Sequence, residues 1–401
     1  MAVNARNPVR ETYLPYGRQW IDDADIEAVT AVLRGEFLTT GPAIASFEAK
    51  FADRVGAKYA VAFANGTAAL HAACDAAGIG EGDEAITSPM TFAASANCVL
   101  YHGGVPVFAD IDPRTYNIDP VQVERLITER TKAIIPVDFA GQPADLDAIM
   151  TLAEKHGITV IEDAAHALGA DYEGRSVGSI SHMTMFSLHP VKHITSGEGG
   201  VIATNSEALY NKLLAFRNHG IVREAEAMER RWRGKWYYEM QSLGFNYRLT
   251  DIAAVLASSQ LDKLDRFVAR RIEIANAYND AFANWEALTI PYQDPRGTSS
   301  WHLYVVKLSL DRLKASRDEI FERLQSENIG VNVHYIPVYL HPYYEKLGYR
   351  TGLCPVAEAA FESFLTLPLF PAMSDDDVSD VIRAVKQVVG ECLEEEAVYP
   401  A

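Results

Sequence analysis

A lysine lies between two apolar runs in the stretch "MTMFSLHPVKHITSGEGGVIAT", residues 183–204. Lys192 follows Pro190 by two residues, and the glycines behind it allow the backbone to approach a ligand closely. An isolated loop lysine is usually solvated. A lysine amine can also bind a carbonyl compound covalently and then move protons as a base. Lys192 is therefore a candidate for carbonyl chemistry.

A second candidate follows the apolar run in "GITVIEDAAHALGA", residues 157–170, which ends at Glu162 and Asp163. A carboxylate buried at the end of a strand needs a cationic partner. The protonated ring nitrogen of pyridoxal 5'-phosphate would serve, because enzymes that use this cofactor hold its pyridine ring in that way. The alternative is a solvated acidic residue at the start of the next helix. His166 in the same turn either binds the cofactor or is structural.

A phosphate site is indicated by "AVAFANGTAALHAA", residues 60–73. A strand ends before the Asn65–Gly66 turn, and Thr67 opens a helix whose first backbone N–H groups are free to bind an anion. Ser187, five residues before Lys192, could reach the same phosphate. An ordinary capped helix is the alternative interpretation.

An aromatic residue, Phe92, follows another strand end in "SPMTFAASANC", residues 88–98. Its ring could stack on a flat cofactor, although a core phenylalanine is the commoner case. Together these stretches offer a phosphate cradle, a flat face, a partner for a ring nitrogen and a reactive lysine.

The elements that must position these residues alternate from residue 59 onward between short β-rich runs and helical stretches. This alternation predicts an α/β fold with a mostly parallel sheet between helices. Ligand-binding groups should then gather at the carboxyl ends of the strands.

The chain is predicted to have three parts: an N-terminal arm (1–20), a large cofactor-binding domain (21–270) and a small C-terminal α+β domain (271–401). A long helical stretch with Thr250 as its N-cap is predicted to lead out of the large domain. The small domain should contain strands near 301–310 and 331–338 and a final helix after Ser374. Residues 223–240 form a charged, aromatic insertion, predicted to be mobile or to face the substrate.

Composition restricts the class of protein. The 401 residues carry a formal charge of -18, which disfavours nucleic acid as a partner and favours a small ligand. The four cysteines are widely spaced, so neither a zinc site nor a disulfide framework is expected. No apolar stretch suggests a signal peptide or membrane span, and a cytoplasmic protein is expected.

Three common motifs are absent or misplaced. "GIGEGD" at 78–83 follows a helix and precedes a strand, the reverse of a dinucleotide-binding context. Neither G-x-S-x-G nor H-E-x-x-H occurs, so a serine hydrolase elbow and that class of zinc protease are unsupported.

The stretches "EDAAHALGA", "FSLHPVKHITSGEGG" and "LGFNYRLTDI" are similar to the DegT-type family of pyridoxal-phosphate-dependent sugar aminotransferases, which has the aspartate aminotransferase fold, fold type I. The similarity runs from "LPYGRQWIDDADIEAV" to "LPLFPAMSDDDV", nearly the whole chain. It implies a homodimer with shared active sites and pyridoxal 5'-phosphate as cofactor. No metal is implied.

The resemblance also implies individual roles. Lys192 would be the Schiff-base lysine and Asp163 the partner of the ring nitrogen. The other implied cofactor-binding residues are Phe92 (stacking), Gly66, Thr67 and Ser187 (phosphate), Asn246 (phosphate of the neighbouring subunit) and His166, which stands where many relatives carry glutamine. Arg248, His334 and Tyr335 lie in segments that match substrate-facing ones.

Within the family, "HPVK", "RNHGI", "GFNYRLTDI" and "VHYIPVYLHPYY" most resemble the branch of pseudaminic acid biosynthesis. This implies amino transfer from L-glutamate to C4 of a UDP-linked 4-keto-6-deoxy-2-acetamido sugar. The alternatives are a dTDP-linked, GDP-linked or D-configured UDP-linked keto sugar, a sugar dehydratase and a non-catalytic regulator. The dehydratase branch carries histidine in place of the lysine, so Lys192 argues against it.

Overall fold

The computed structural model of the protein describes residues 7–230 and 233–394. Small parts of three predicted regions, the arm (1–6), the insertion (231–232) and the C-terminal domain (395–401), lie outside the described residues.

Fifteen strands are present among the described residues. They are β1 Tyr59–Phe63, β2 Glu84–Thr87, β3 Val105–Phe108, β4 Thr131–Ile135, β5 Thr159–Asp163, β6 Asp171–Tyr172, β7 Arg175–Ser176, β8 Met183–Ser187, β9 Gly200–Thr204, β10 Ile221–Val222, β11 Glu239–Met240, β12 Leu288–Thr289, β13 Gly297–Thr298, β14 Tyr304–Leu308 and β15 Phe364–Leu367.

Thirteen α-helices are present in the same ranges. They are α1 Asp23–Leu33, α2 Pro42–Val55, α3 Gly66–Ala76, α4 Ala94–Leu100, α5 Pro120–Leu126, α6 Leu146–His156, α7 Glu207–Arg217, α8 Asp251–Leu261, α9 Leu264–Phe282, α10 Arg317–Ser326, α11 Pro342–Lys346, α12 Pro355–Ser363 and α13 Asp375–Gly390.

The central sheet has seven strands in the order β1-β9-β8-β5-β4-β2-β3. Strands β3, β2, β4, β5 and β8 pair in parallel, whereas β9 runs antiparallel to both β8 and β1. Separate apolar clusters pack on the two sides of this sheet, which explains why its strands read as nearly continuous apolar runs. The predicted α/β fold with a mostly parallel sheet is confirmed.

Local sequence signals set several helix starts. The side chains of Asn65, Thr250 and Ser374 each accept a hydrogen bond from the third backbone N–H of the helix that follows, which satisfies a donor that the helix leaves free. The long helical stretch predicted after Thr250 is divided, because α8 ends at Leu261 and α9 begins at Leu264. At the break, the Lys263 ammonium pairs with the buried carboxylate of Asp25 at 2.8 Å.

The C-terminal part has its own apolar core, formed by α9, α10, α13 and the sheet β12-β14-β15. Leu14 of the N-terminal segment packs into this core and pairs with Ile329. The strand predicted near 331–338 is wrong. The β-bridge described in this segment joins Asn332 to Thr366, Val338 instead donates its backbone N–H to the carbonyl oxygen of Pro89 at 3.0 Å, and Pro337 cannot donate to a strand ladder. The domain boundary at 270/271 stays a prediction.

Three further observations concern the composition-based expectations. All four cysteines are buried and free. Among residues 7–230 and 233–394, no group of histidine, cysteine and carboxylate side chains could hold a metal ion. In those ranges, no helix is both long and apolar enough to cross a bilayer.

Candidate active site

Most of the predicted cofactor-binding residues lie at or just after the ends of four strands of the central sheet. Strands β1, β2, β5 and β8 end at Phe63, Thr87, Asp163 and Ser187, and they run in one direction. Their carboxyl ends therefore share one edge. Reversed strand β9 begins at that same edge, where Gly200 is paired with both Phe63 and Ser187.

Lys192 lies in the loop between β8 and β9. Its side chain is largely buried, and its Nζ is 3.3 Å from Nε2 of His302. Burial lowers the pKa of the Lys192 ammonium to about 8, although the charge of Asp163 opposes the shift. About a tenth of the amine is therefore uncharged at pH 7, far more than in an ordinary lysine, and the uncharged form is the one that acts as nucleophile or base.

Asp163 ends β5 and is buried. Its Oδ2 accepts a hydrogen bond from the Ser95 hydroxyl at 2.6 Å, and its Oδ1 accepts one from the backbone N–H of Ala165 at 3.1 Å. Burial raises the pKa of this carboxyl group, and the two hydrogen bonds and the charge of Lys192 partly offset the rise. A cation beside Asp163 would stabilise its ionised form.

His166 is buried at the turn after β5. Its Nε2 is hydrogen-bonded to the Tyr335 hydroxyl at 3.1 Å, and its ring packs against His302 with 4.3 Å between centroids. Burial and the nearby Lys192 charge lower the pKa of His166 well below its usual range, so the ring is neutral. Its Nδ1 is buried and has no hydrogen-bond partner within the described ranges. A bound ligand would satisfy this atom.

The predicted phosphate-binding residues meet at the start of α3. The Asn65 carboxamide accepts a hydrogen bond from Ala68 N at 2.8 Å, which leaves the N–H groups of the first helical residues free for an anion. A Cβ at Gly66 would lie 3.7 Å from Oγ of Ser187, so these residues face each other across a narrow gap. Thr67, the next residue of the helix, is partly exposed.

Two predicted residues present exposed side chains. Phe92, after β2, is 64% exposed, so its ring is free on the protein surface. Asn246 is also exposed, and its backbone bridges to Asn218.

The three predicted substrate residues have protein partners. Arg248 donates from Nη1 to the Asn218 side chain at 2.6 Å. Both ring nitrogens of His334 are engaged, with the Thr366 hydroxyl at 2.9 Å and the Asn332 amide at 3.3 Å, and burial lowers its pKa to about 3. Tyr335 reaches the centre of the site through His166.

Sequence reasoning missed Ser95 and His302. Ser95 lies three residues after Phe92 at the start of α4, where a serine usually caps a helix. His302 stands just before β14 in an apolar stretch that indicates only a strand. His302 and Lys192 are 110 residues apart, so no local sequence pattern indicates that they are in contact.

The fold and this edge define the class of fold type I pyridoxal-phosphate enzymes. A model of the DegT/DnrJ/EryC1/StrS aminotransferase family matches residues 19–386, and the chain belongs to this family. The spore coat polysaccharide biosynthesis protein SpsC of Bacillus subtilis is 44% identical over 387 residues, which cover 95% of this chain and 98% of that protein.

Solved structures agree. Helicobacter pylori PseC, an aminotransferase involved in the biosynthesis of pseudoaminic acid, superposes with a TM-score of 0.88 at 31% identity and covers 95% of this chain and 100% of its own. Streptococcus pneumoniae Spr1654 in its pyridoxamine-phosphate form gives a TM-score of 0.89 at 32% identity, covering 94% and 99%. Its pyridoxal-phosphate form has also been solved.

The chain is therefore a sugar aminotransferase that uses pyridoxal 5'-phosphate, which confirms the predicted cofactor. The residues present fit this group. Asp163 is a buried carboxylate available to a protonated ring nitrogen, Nδ1 of His166 lacks a partner in the described part of the chain, and a side chain at Gly66 would fill the gap beside Ser187.

Proposed function

We propose that the chain transfers the amino group of L-glutamate to C4 of a UDP-linked 4-keto-6-deoxy-2-acetamido sugar, with Lys192 and Asp163 as its catalytic residues. The observation that carries the catalytic part of this proposal is the position of Lys192, whose largely buried side chain lies in the loop after β8, next in the sheet to β5, which ends at the buried Asp163. The reaction is that of UDP-4-amino-4,6-dideoxy-N-acetyl-β-L-altrosamine transaminase.

Bound pyridoxal 5'-phosphate would supply an electron sink and carry the amino group between the two substrates. Nζ of Lys192 would attach the cofactor covalently in the resting enzyme. Once the donor has displaced it, the free amine would be the base that moves the Cα proton of glutamate to the cofactor. Its lowered pKa suits a base that works near neutral pH.

The other predicted residues would bind and orient the cofactor. Asp163 would accept a hydrogen bond from the protonated ring nitrogen, and Gly66, Thr67 and Ser187 would surround the phosphate. Phe92 would cover one face of the ring. His166 would contribute its free Nδ1.

We also propose a homodimer in which Asn246 completes the phosphate site of the neighbouring subunit. The exposure of Asn246, which lies within the family-like pattern "GFNYRLTDI", supports this arrangement. A two-fold interface would let each subunit supply the same residue to the other.

The sugar nucleotide is the finer part of the proposal. Similarity of "HPVK" and "VHYIPVYLHPYY" to the pseudaminic acid branch supports the acetamido sugar, as does the 31% identity with PseC. A second candidate, a different nucleotide-linked keto sugar, is favoured by the higher identity, 44%, with SpsC.

Two measurements test these statements separately. Borohydride reduction followed by peptide mapping should place a pyridoxyl label on Lys192, and a label on another lysine would overturn the site. The enzyme loaded with pyridoxamine phosphate should then regain its visible absorbance fastest with the L-configured UDP acetamido 4-keto sugar. A faster return with a dTDP-linked or D-configured UDP-linked sugar would replace the first candidate with the second.

A further inference from the structure

Within residues 7–230 and 233–394, the side chain hydrogen-bonded to the Lys192 amine is that of His302. Its Nε2 lies 3.3 Å from Nζ, and its own side chain is buried. Burial and the nearby Lys192 charge lower the pKa of His302 well below its usual range, so the imidazole is neutral. In the tautomer that carries its proton on Nδ1, Nε2 accepts a hydrogen bond from the lysine ammonium, and the buried Nδ1–H has no acceptor among the described residues.

The backbone around His302 is fixed against the sheet. Ser300 donates from its backbone N–H to Gly141 at 3.0 Å and from its hydroxyl to the carbonyl oxygen of His166 at 3.1 Å. Gly141 has a φ of 104°, and a Cβ there would lie 2.8 Å from the backbone nitrogen of His302. Only glycine permits this approach, so the loop after β4 fixes the position of the His302 backbone.

A buried arginine also holds the segment that carries His302. Nη1 of Arg271, on α9, donates to the carbonyl oxygens of Trp301 and His302, both at 3.2 Å, and to that of Leu369 at 2.9 Å. Arg271 is fully buried, so these bonds form without competition from water.

The imidazole itself is held between two other rings. The ring centroid of His302 is 4.3 Å from that of His166 and 5.7 Å from that of His193. His193 is fixed in turn, because its Nε2 is bonded to the carbonyl oxygen of Ser300 at 3.0 Å. The position of the His302 ring is thus determined before any ligand binds.

We propose that His302 is the positioning residue of Lys192: its Nε2 holds the free Nζ in one place, so that the amine is aimed at the cofactor whenever it is not covalently engaged. This proposal rests on the proposed function, because it assumes that Lys192 is the reacting lysine.

The charged and titratable groups around this pair come from several elements. Asp163 favours the lysine ammonium, whereas Arg271 disfavours it. His166, His193 and His334 face the same charge and have lowered pKa values for that reason and because of burial. With these groups unchanged, removal of the His302 acceptor should weaken the ammonium form further.

The test compares His302→Gln with His302→Asn. A glutamine amide can reach the position of Nε2, whereas asparagine, one methylene shorter, reaches only that of Nδ1. In the full-length protein stripped of cofactor, competitive acetylation read by mass spectrometry gives the pKa of the Lys192 amine. We expect the asparagine variant to lower it by about one unit and the glutamine variant to stay near wild type.

A second measurement reports the position of the Lys192 amine and not its protonation state. Above pH 9, where the amine is mostly uncharged, the rise of visible absorbance on adding pyridoxal 5'-phosphate measures attachment to Lys192. The asparagine variant should attach the cofactor about tenfold more slowly, and glutamine should restore most of the rate. His102→Gln, a partly buried histidine bonded to the His71 carbonyl oxygen, is the control and should change neither value.

Each outcome decides the proposal. It is overturned if the asparagine variant matches wild type in both readouts, or if both His302 variants are altered equally. If the asparagine variant does not fold, 15N NMR of labelled histidine in the wild type replaces it: Lys192→Met should shift the Nε2 resonance of His302, and an unshifted resonance overturns the proposal. A borohydride label away from Lys192 in the wild type would instead refute the proposed function.

Discussion

Oδ2 of Asp163 accepts a hydrogen bond from the hydroxyl of Ser95 at 2.6 Å, and both side chains are buried. The bond joins the end of β5 to the start of α4. It fixes one carboxylate oxygen, while the backbone N–H of Ala165 fixes the other. The carboxylate is therefore oriented in advance for a cation beside it.

This arrangement predicts that Asp163→Asn will lower transamination at least about a hundredfold while the cofactor still attaches to Lys192, because the electron sink fails when the ring nitrogen loses its anion. Ser95→Ala should cost about tenfold, near the lower end of the value of a hydrogen bond to a charged group, because Asp163 keeps its charge and its bond from Ala165. Half-reaction rates and borohydride labelling measure the two effects. Asp171→Asn, on β6, is the matched control, and a near-wild-type rate for Asp163→Asn would contradict the assignment.

The Lys192 amine predicts a pH dependence of stability in the cofactor-free protein. Its pKa is about 8 when folded and about 10.4 in an unfolded chain. Between these values the unfolded state binds more protons, so the free energy of unfolding rises with pH. The penalty of the buried charge is fully present below pH 8 and disappears as the pH passes about 10.4.

Urea unfolding of wild type and Lys192→Met at pH 7.5 and pH 10 should therefore differ. Wild type should gain about 1 to 3 kcal/mol relative to the methionine variant. Lys155→Met, which removes an exposed lysine on α6, should show no such relative gain. A difference between wild type and Lys192→Met that does not change with pH would mean that the amine is not desolvated.

Two glycines at the proposed phosphate site predict different effects of alanine. At Gly66 an added Cβ meets its nearest neighbour at 3.4 Å, an ordinary contact, whereas at Gly200 it would lie 2.6 Å from the carbonyl oxygen of Asn65. Gly66→Ala should keep its melting temperature but bind pyridoxal 5'-phosphate more weakly, because the side chain fills the cradle. Gly200→Ala should have a lower melting temperature and also bind pyridoxal 5'-phosphate more weakly, because the backbone at Asn65 must shift to accommodate the added Cβ.

The position of the phosphate can be tested by comparing Gly66→Ala with wild type. Gly66→Ala should discriminate less than wild type between pyridoxal 5'-phosphate and pyridoxal in binding titrations. Equal discrimination in the variant and in wild type would show that the phosphate lies elsewhere.

The proposed shared site predicts complementation between inactive chains. Lys192→Ala and Asn246→Asp homodimers should both be weak, because one lacks the amine and the other places a carboxylate near a phosphate. A mixed dimer should regain one pocket with neither change, and its activity should approach half that of wild type. Native mass spectrometry verifies subunit exchange, and no recovery after exchange would mean that Asn246 acts within its own chain or not at all.

Local signals in the sequence carried the correct predictions. The Asn65–Gly66 turn, Thr250 and Ser374 could be assigned because a helix start is encoded within a few residues. The alternation of runs predicted the mostly parallel sheet, and the sheet implied which loops share an edge. The roles assigned to Lys192 and Asp163 stay predictions until the cofactor is mapped.

What the sequence could not reveal depends on contacts between distant residues. The bond from Lys192 to His302 and the three carbonyl groups held by Arg271 arise only when the C-terminal part packs on the sheet. The segment 331–338 has alternating apolar residues, yet it forms no strand: one β-bridge joins Asn332 to Thr366, while the backbone N–H of Val338 is bonded to Pro89. Tertiary packing overrides local propensity there.

The reversal of β9 has a consequence for the entropy of the lysine loop. Because β8 and β9 are antiparallel neighbours, the loop between Ser187 and Gly200 leaves and re-enters the sheet at one paired position. Leu188 closes it further, donating to the Gly199 carbonyl oxygen at 2.9 Å and accepting from Ser196 at 3.1 Å. A parallel connection would have needed a long crossover. This short closed loop instead leaves the backbone of Lys192 few conformations, so little conformational entropy is lost when its side chain is placed.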